Sequence, residues 1–337
     1  MRLAEALSRS GIDVETIGLG GTFPGRGDDG RAALRSAISK LPADRLVVVD
    51  GLCLATLATL EFAREFVALV HHPADLETGL TADEARCLRG LETRALGAAV
   101  RIVATSRHTA DLLVHDYDVD GVRVGVVEPG VDFRVERPPH LSSSLLSSPV
   151  LRMLAVGAVT PRKGHEVLIE AAARLRETSQ DGPDFRIDCF GPLDRAPEWV
   201  ASQRAAISRH GLDRHVLLHG EVDDDAVASA YRDADLFVHA AHYEGYGMAV
   251  ADALACGLPV VATAAGAVAD LVPSDAGRLV APGDAAALAG VLAEVLSDDM
   301  MHQRMRQGAA RAGAALPGWD DAATRFVQQC RCAMAQS

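Results

Sequence analysis

Two carboxylates eight positions apart at one helix entrance, Glu244 and Asp252, are the residues of this chain whose types and spacing point most directly to chemistry. Segment 242–263, HYEGYGMAVADALACGLPVVAT, runs from a glycine-broken loop into an Ala-rich helix, then through Gly257-Leu258-Pro259 into a buried strand. Glu244 stands ahead of the loop Gly245-Tyr246-Gly247, whose glycines let backbone approach a ligand closely. A helix starting near Met248 turns its first N–H groups and the positive end of its dipole toward that loop, an arrangement that holds phosphate. The natural guest is a diphosphate. Carboxylates accept from hydroxyls, so the pair suits two parts of one polyol ligand, a sugar and a ribose.

Other constellations read as structural. The run Asp223-Asp224-Asp225 follows a strand and precedes a helix over 226–231, where capping and dipole complementarity explain it without a metal. Gly18-Leu19-Gly20-Gly21-Thr22-Phe23-Pro24-Gly25 lacks the spacing of a dinucleotide fingerprint and reads as a plain loop. His165 and Glu166 open a helix as surface residues. The six cysteines lack metal-type spacing apart from Cys330-x-Cys332 and are expected to be reduced. A formal charge of −13 with sparse aromatics argues against nucleic acid as a partner. Lys is nearly absent, so no basic patch invites a lipid surface. Apolar runs are strand-sized, far short of the roughly 20 residues that span a bilayer, so no integral membrane segment is expected. No export signal is legible, and the expected location is the cytoplasm.

The elements that must position these residues alternate throughout. Strands are expected at 14–19, 46–50, 66–71, 100–105 and 122–128, then at 152–157, 185–191, 216–220, 236–239, 258–262 and 278–280, with amphipathic helices between. Such βαβ alternation predicts an α/β chain of two Rossmann-like domains facing across a cleft, ligands binding beyond the strands' carboxyl ends. The polar, Pro-bracketed stretch from Arg137 to Pro149 reads as a linker. The expected division is 1–137, linker 138–149, a second domain 150–316, and a C-terminal helix in 317–337 that crosses back to the first domain. Because residues 2–9 read as a helix, the first strand and Gly-rich loop with which a Rossmann domain normally begins are missing from the N-domain as read: either the natural start lies upstream of Met1 or the domain lacks them.

With this context in view, the chain resembles the family 4 retaining glycosyltransferases of the GT-B fold. Their hallmark is a Glu, seven residues and a second Glu, set in S-x-x-E-G-x-G-x-x-x-x-E-A-x-A-x-G-x-P-V-V. Glu244, Gly245, Gly247, Ala253, Ala255, Gly257, Pro259, Val260 and Val261 match it without gaps. Further matches are Gly157 to Lys163-Gly164, Glu128-Pro129-Gly130-Val131-Asp132, the run 231–238 and the run 277–284. The chain departs from the pattern at Asp252, a shorter carboxylate than Glu, at Ala158, where relatives carry Arg, and at Ala240-Ala241 and Ala267.

The resemblance implies transfer of a hexosyl unit from a UDP- or GDP-sugar to a hydroxyl acceptor, with retained configuration and no resident cofactor or metal. It implies that Glu244 holds sugar hydroxyls, that Lys163, with Arg162 beside it and Gly164 after it, neutralises the leaving diphosphate, and that Asp252 accepts from the ribose. Tyr243, Gly245, Tyr246, Gly247, Met248 and Ala249 would line the donor, with N–H groups of Gly247 to Ala249 on sugar and diphosphate. Val222 would meet the base edge through its backbone. His71, ending the run Val67-Ala68-Leu69-Val70-His71, would reach the transferring sugar, whereas His72-Pro73 turns away. The absence of a Ser/His/Asp triad or a glycosidase-like acid pair agrees with a mechanism built on charge stabilisation. The alternatives are a protein of the same fold that binds nucleotide sugar without transferring it, and another GT-B enzyme such as a phosphorylase or epimerase.

Overall fold

A computed structural model describes residues 2–24, 28–134, 150–178 and 184–334. The chain divides into two units, Met1–Gly130 with Pro317–Ser337, and Val131–Leu316.

Unit 1 is built on four parallel strands in the order β1 (Val47–Asp50), β2 (Phe66–Val70), β3 (Arg101–Ala104) and β4 (Val124–Val126). Side chains alternate across a pleated strand, and the continuous apolar run of β2 serves two cores at once. Phe66, Ala68 and Val70 pack with Leu54, Leu96, Ile102 and Leu113, while Val67 packs on the opposite face with Val103, Ala6 and Leu7. Helix Trp319–Met334 contributes Ala322, Ala323 and Phe326 to that second face.

Two expected strands change. Residues 14–19 form no strand: among the described residues nothing pairs with them, and β-branched composition alone does not make a ladder. The expected strand 122–128 contracts to β4, because Asp120 accepts from Val122 N (3.0 Å) and closes Gly121–Arg123 into a 3₁₀ turn.

The turn after β2 is held from below. Asp75 accepts from Arg89 Nε (2.8 Å) and from the Tyr117 hydroxyl, and the Arg89 guanidinium lies 4.8 Å over the Tyr117 ring. Glu92, 2% exposed, takes Ala74 N on both oxygens (2.9 and 3.1 Å). Burial pushes the Glu92 carboxyl up to about 8, with the charge of Asp75 adding to the rise and the Ala74 bond opposing it. A folded value above the unfolded one means stability that is complete below the ordinary Glu range and lost as pH rises through about 8. Glu92→Gln is therefore expected to raise Tm at pH 9 by roughly 2–4 °C or more, with no gain near pH 4.5. Melting curves across that range check it, and a pH-independent difference would refute the assignment.

Unit 2 carries six parallel strands, β5 (Val150–Val156), β6 (Asp184–Phe190), β7 (Val216–Gly220), β8 (Leu236–His239), β9 (Val260–Thr263) and β10 (Gly277–Val280). Their order is β10-β9-β8-β5-β6-β7. The order reverses between β5 and β8, the topological switch point beside which doubly wound sheets bind ligands. Leu151, Met153 and Ala155 of β5 face the core under helices His165–Thr178 and Ala285–Ser297, while Leu154 faces the core under Met248–Ala255 and Asp299–Ala315.

The division falls at Gly130 rather than at 137, because the residues that follow pack into unit 2. Val131 meets Tyr246 and Ala251, Phe133 lies against Tyr231 (ring centroids 5.6 Å), and Arg134 donates to the carbonyls of Gly313 (3.1 Å) and Leu316 (2.6 Å). The expected linker 138–149 lies outside the described residues.

Candidate functional site

At the carboxyl ends of β5 and β8 two loops are fastened together. After β5 the chain makes a 3₁₀ turn, Pro161–Lys163, closed by Gly164 in the left-handed region (φ 64°) before helix His165–Thr178. A Cβ at 164 would lie 2.0 Å from the carbonyl oxygen of Ala240, so only glycine lets the turn sit against the end of β8. His242 N donates to Arg162 O (2.8 Å), and Arg162 Nη1 donates to Tyr243 O (3.0 Å).

This fastening brings Lys163, Arg162 and Glu244 together. Glu244 is 6% exposed. Its Oε1 accepts from Lys163 Nζ at 2.5 Å and from His239 Nε2 at 2.9 Å, and Arg162 Nη1 stands 3.6 Å from Oε2. Burial alone would raise the carboxyl, but Lys163 and His239 overcome it and hold Glu244 well below the usual carboxylate range. It is an anion at any neutral pH. His165, expected at the surface, is instead 6% exposed, and it is driven the other way: burial, with the nearby His239 and Lys163, lowers it to about 4.

Helix Met248–Ala255 starts from Gly247, its N-cap, in the left-handed region (φ 95°). Gly245, Tyr246, Met248 and Ala249 follow Glu244 into that entrance, where Val250 N and Ala251 N donate to Gly247 O (3.0 and 2.9 Å) and the N–H groups ahead of them precede the first helical acceptor. Ala267 N donates to Glu244 O (3.0 Å) and pins the loop from the other side.

Two expected site residues of unit 2 lie apart from this cluster, and a third belongs to unit 1. Asp252, one turn into the helix and 5% exposed, turns Oδ1 to the N–H groups of Asp132 (2.8 Å) and Phe133 (3.4 Å). Val222 lies in the loop beyond the edge strand β7, on the same carboxyl rim, with Gly191 N donating to Gly220 O (2.9 Å) beside it. His71 belongs to unit 1, one residue past β2, its side chain half exposed and its Nε2 3.0 Å from Asp50 Oδ2. Thr105 Oγ1 donates to His71 O (3.1 Å). His72 instead pairs with Glu77 at 2.6 Å. Asp223 caps helix Asp224–Asp233 by accepting from Ala226 N (2.8 Å), as its position in the sequence implies.

Two residues of the arrangement escape a reading of the sequence. His239 is the last residue of a strand of common type, and its signal is position: the carboxyl end of the strand beside the switch point. Asp50 ends β1 next to His71 and caps helix Gly51–Leu57 through Leu52 N (3.0 Å), so the helix start masks its second contact.

Comparison with known proteins gives the same direction. The family described as glycosyl transferases group 1 is matched over residues 142–312. A D-inositol 3-phosphate glycosyltransferase of Xylanimonas cellulosilytica is 34% identical over 249 residues, 70% of this chain, and the chain spans 58% of that relative's length. Among solved structures, sucrose-phosphate synthase from Thermosynechococcus elongatus superposes with TM-score 0.79 at 22% identity, over 100% of this chain and 92% of that one. HepE of Anabaena, in complex with UDP-glucose, superposes with TM-score 0.70 at 19% identity, over 91% and 82%. These likenesses show the GT-B fold. Among the described residues no helix is long and apolar enough to cross a membrane.

Proposed function

The chain belongs to the group 1 glycosyl transferases, and on that premise we propose that it moves a sugar from a UDP- or GDP-sugar to a hydroxyl acceptor with retained configuration. The observation that carries the reading is the Lys163–Glu244 pair at the switch point, 2.5 Å apart, beside the N-terminus of helix Met248–Ala255. Cations and a helix entrance suit a diphosphate, and a buried, ionised carboxylate suits sugar hydroxyls.

The work of the site is to stabilise negative charge on the departing diphosphate. Lys163, Arg162 and the N–H groups at Met248 and Ala249 supply preorganised positive charge in a water-poor pocket. When the acceptor enters on the face the diphosphate leaves, the diphosphate takes the acceptor proton, the acceptor oxygen bonds the anomeric carbon and the bond to the diphosphate oxygen breaks. No protein nucleophile is required. Glu244 fixes the sugar, Asp252 and the backbone of Val222 serve the nucleoside, and His71, oriented by Asp50, serves the transferring sugar. HepE, crystallised with UDP-glucose, supports uridine as the first base to try. The D-inositol 3-phosphate glycosyltransferases among the relatives make an inositol phosphate the first acceptor to try.

A second reading is a protein of this fold that binds nucleotide sugar without transferring it; the engagement of Asp252 Oδ1 by the Asp132 and Phe133 N–H groups weakens its hold on a ribose in either case. Calorimetric titration with UDP-, GDP-, ADP- and dTDP-sugars, followed by transfer assays with inositol phosphate, separates the two. Saturable binding of one donor class with product formed is the expected result. Binding without product supports the second reading, and no binding to any donor refutes both.

A further inference from the structure

Glu244 has two strong partners on one oxygen, and they differ in kind. His239 is fixed: it ends β8, is 5% exposed, and its ring stacks nearly parallel to that of Phe237 (interplanar 17°, centroids 6.2 Å). Lys163 is an ammonium on a flexible stem that passes Gly157, where a Cβ would stand 3.5 Å from its Cδ and Cε. One ammonium cannot serve both the Glu244 carboxylate and an arriving diphosphate at full strength, and the diphosphate carries the larger charge. When Lys163 turns to it, Glu244 is left as a buried anion, which is costly unless its other hydrogen bonds hold.

We propose that the Lys163–Glu244 pair is a latch opened by the diphosphate, and that His239 is the positioning residue that keeps Glu244 in place for the sugar once Lys163 has left. The proposal rests on the function argued above. It makes recognition of the two halves of the donor interdependent: the sugar's acceptor oxygens become available because the diphosphate has drawn the lysine away. Arg162, held on Tyr243 O and 3.6 Å from Oε2, does not move with the lysine and lends its charge at longer range to both Glu244 and the diphosphate. His165, whose Nδ1 is buried without a hydrogen-bond partner among the described residues, is held neutral by burial and brings no charge to replace the lysine.

The test is calorimetric titration of the full chain with UDP, UDP-glucose, GDP and GDP-glucose. In Glu244→Gln the lysine is released, so the bare nucleotide diphosphate is expected to bind about threefold or more tighter while the preference for the sugar-bearing form falls about tenfold. In His239→Phe, bare-nucleotide affinity is expected to stay within about twofold while the sugar preference falls about tenfold, and His239→Asn, which can still donate, restores it. Should the Phe variant fail to fold, His239→Ala is read the same way against His239→Asn. Unchanged or weaker binding of the bare nucleotide in Glu244→Gln overturns the latch. Equal loss of both ligand forms in a His239 variant that melts like the wild type overturns the positioning role. If the wild type binds none of the four, the proposed function fails first and the latch with it.

Discussion

Lys163→Met is expected to lower turnover by about a hundredfold to a thousandfold, the loss typical when a preorganised charge is removed from a transition state. Lys163 is one of only two lysines in the chain, the other being Lys40, so no neighbouring ammonium substitutes for it. The same variant should also be less stable. Glu244 is held ionised in the interior chiefly by Lys163, and breaking a buried pair by removing one partner typically costs about 3–5 kcal/mol. The sign of the pH dependence follows from the lowered carboxyl. Its contribution is present above the ordinary Glu range and is lost as pH falls toward the depressed folded value, so the variant's deficit is expected to be full at pH 6–8 and to shrink in acid. Initial rates over a donor series, with melts from pH 3 to 8, measure both. Turnover within tenfold of wild type would remove Lys163 from the chemistry.

Gly164→Ala is expected to cost about 3 kcal/mol and to weaken donor binding at least about tenfold, through geometry alone. The added Cβ meets backbone, 2.0 Å from Ala240 O and 2.8 Å from Ala240 C, in a residue already at φ 64°. The turn carrying Arg162 and Lys163 must move off the end of β8, and the Lys163–Glu244 contact moves with it. Gly290→Ala is the internal contrast. Gly290 lies in helix Ala285–Ser297, where an added methyl would have nothing within 4 Å, so that substitution is expected to add about 0.5–1 kcal/mol of stability. Denaturation midpoints and donor titrations on the two variants decide the matter. Equal effects at 164 and 290 would mean that the close approach to Ala240 does not govern the site.

The legible and illegible parts of this site differ in how local their causes are. The loop 243–247, the helix from Met248 and the strand after Pro259 follow from glycine positions and apolar periodicity within a few residues, and the structure forms them there. That Lys163 reaches Glu244 depends on strands β5 and β8 being neighbours, a non-local fact that the βαβ alternation implies only once the strand order is known. His239 and Asp50 are the clearest losses. Each is an ordinary polar residue at a strand end, and each gains meaning from the strand beside it. Residues 14–19 show the converse error: their β-branched pattern predicts a strand, yet a ladder needs a partner, and none pairs with them among the described residues. Asp252 is legible as a carboxylate at the helix entrance, but its bonds to Asp132 and Phe133 come from a segment 120 residues away.

The point at which the chain leaves unit 1 and the point at which it returns are neighbours on each side of the join. Within unit 2, Arg134 near the start holds the carbonyls of Gly313 and Leu316 at the end. Within unit 1, Gly130 lies so close to Trp319 that a Cβ at 130 would fall 2.3 Å from Trp319 N. Neither sheet borrows a strand across the boundary. Unit 2 is thus a cassette, threaded into its host by two adjacent crossings, with little loop-closure entropy at stake in cutting it out or replacing it. A chain assembled this way can have unit 2 replaced while the sheet of unit 1 stays unbroken.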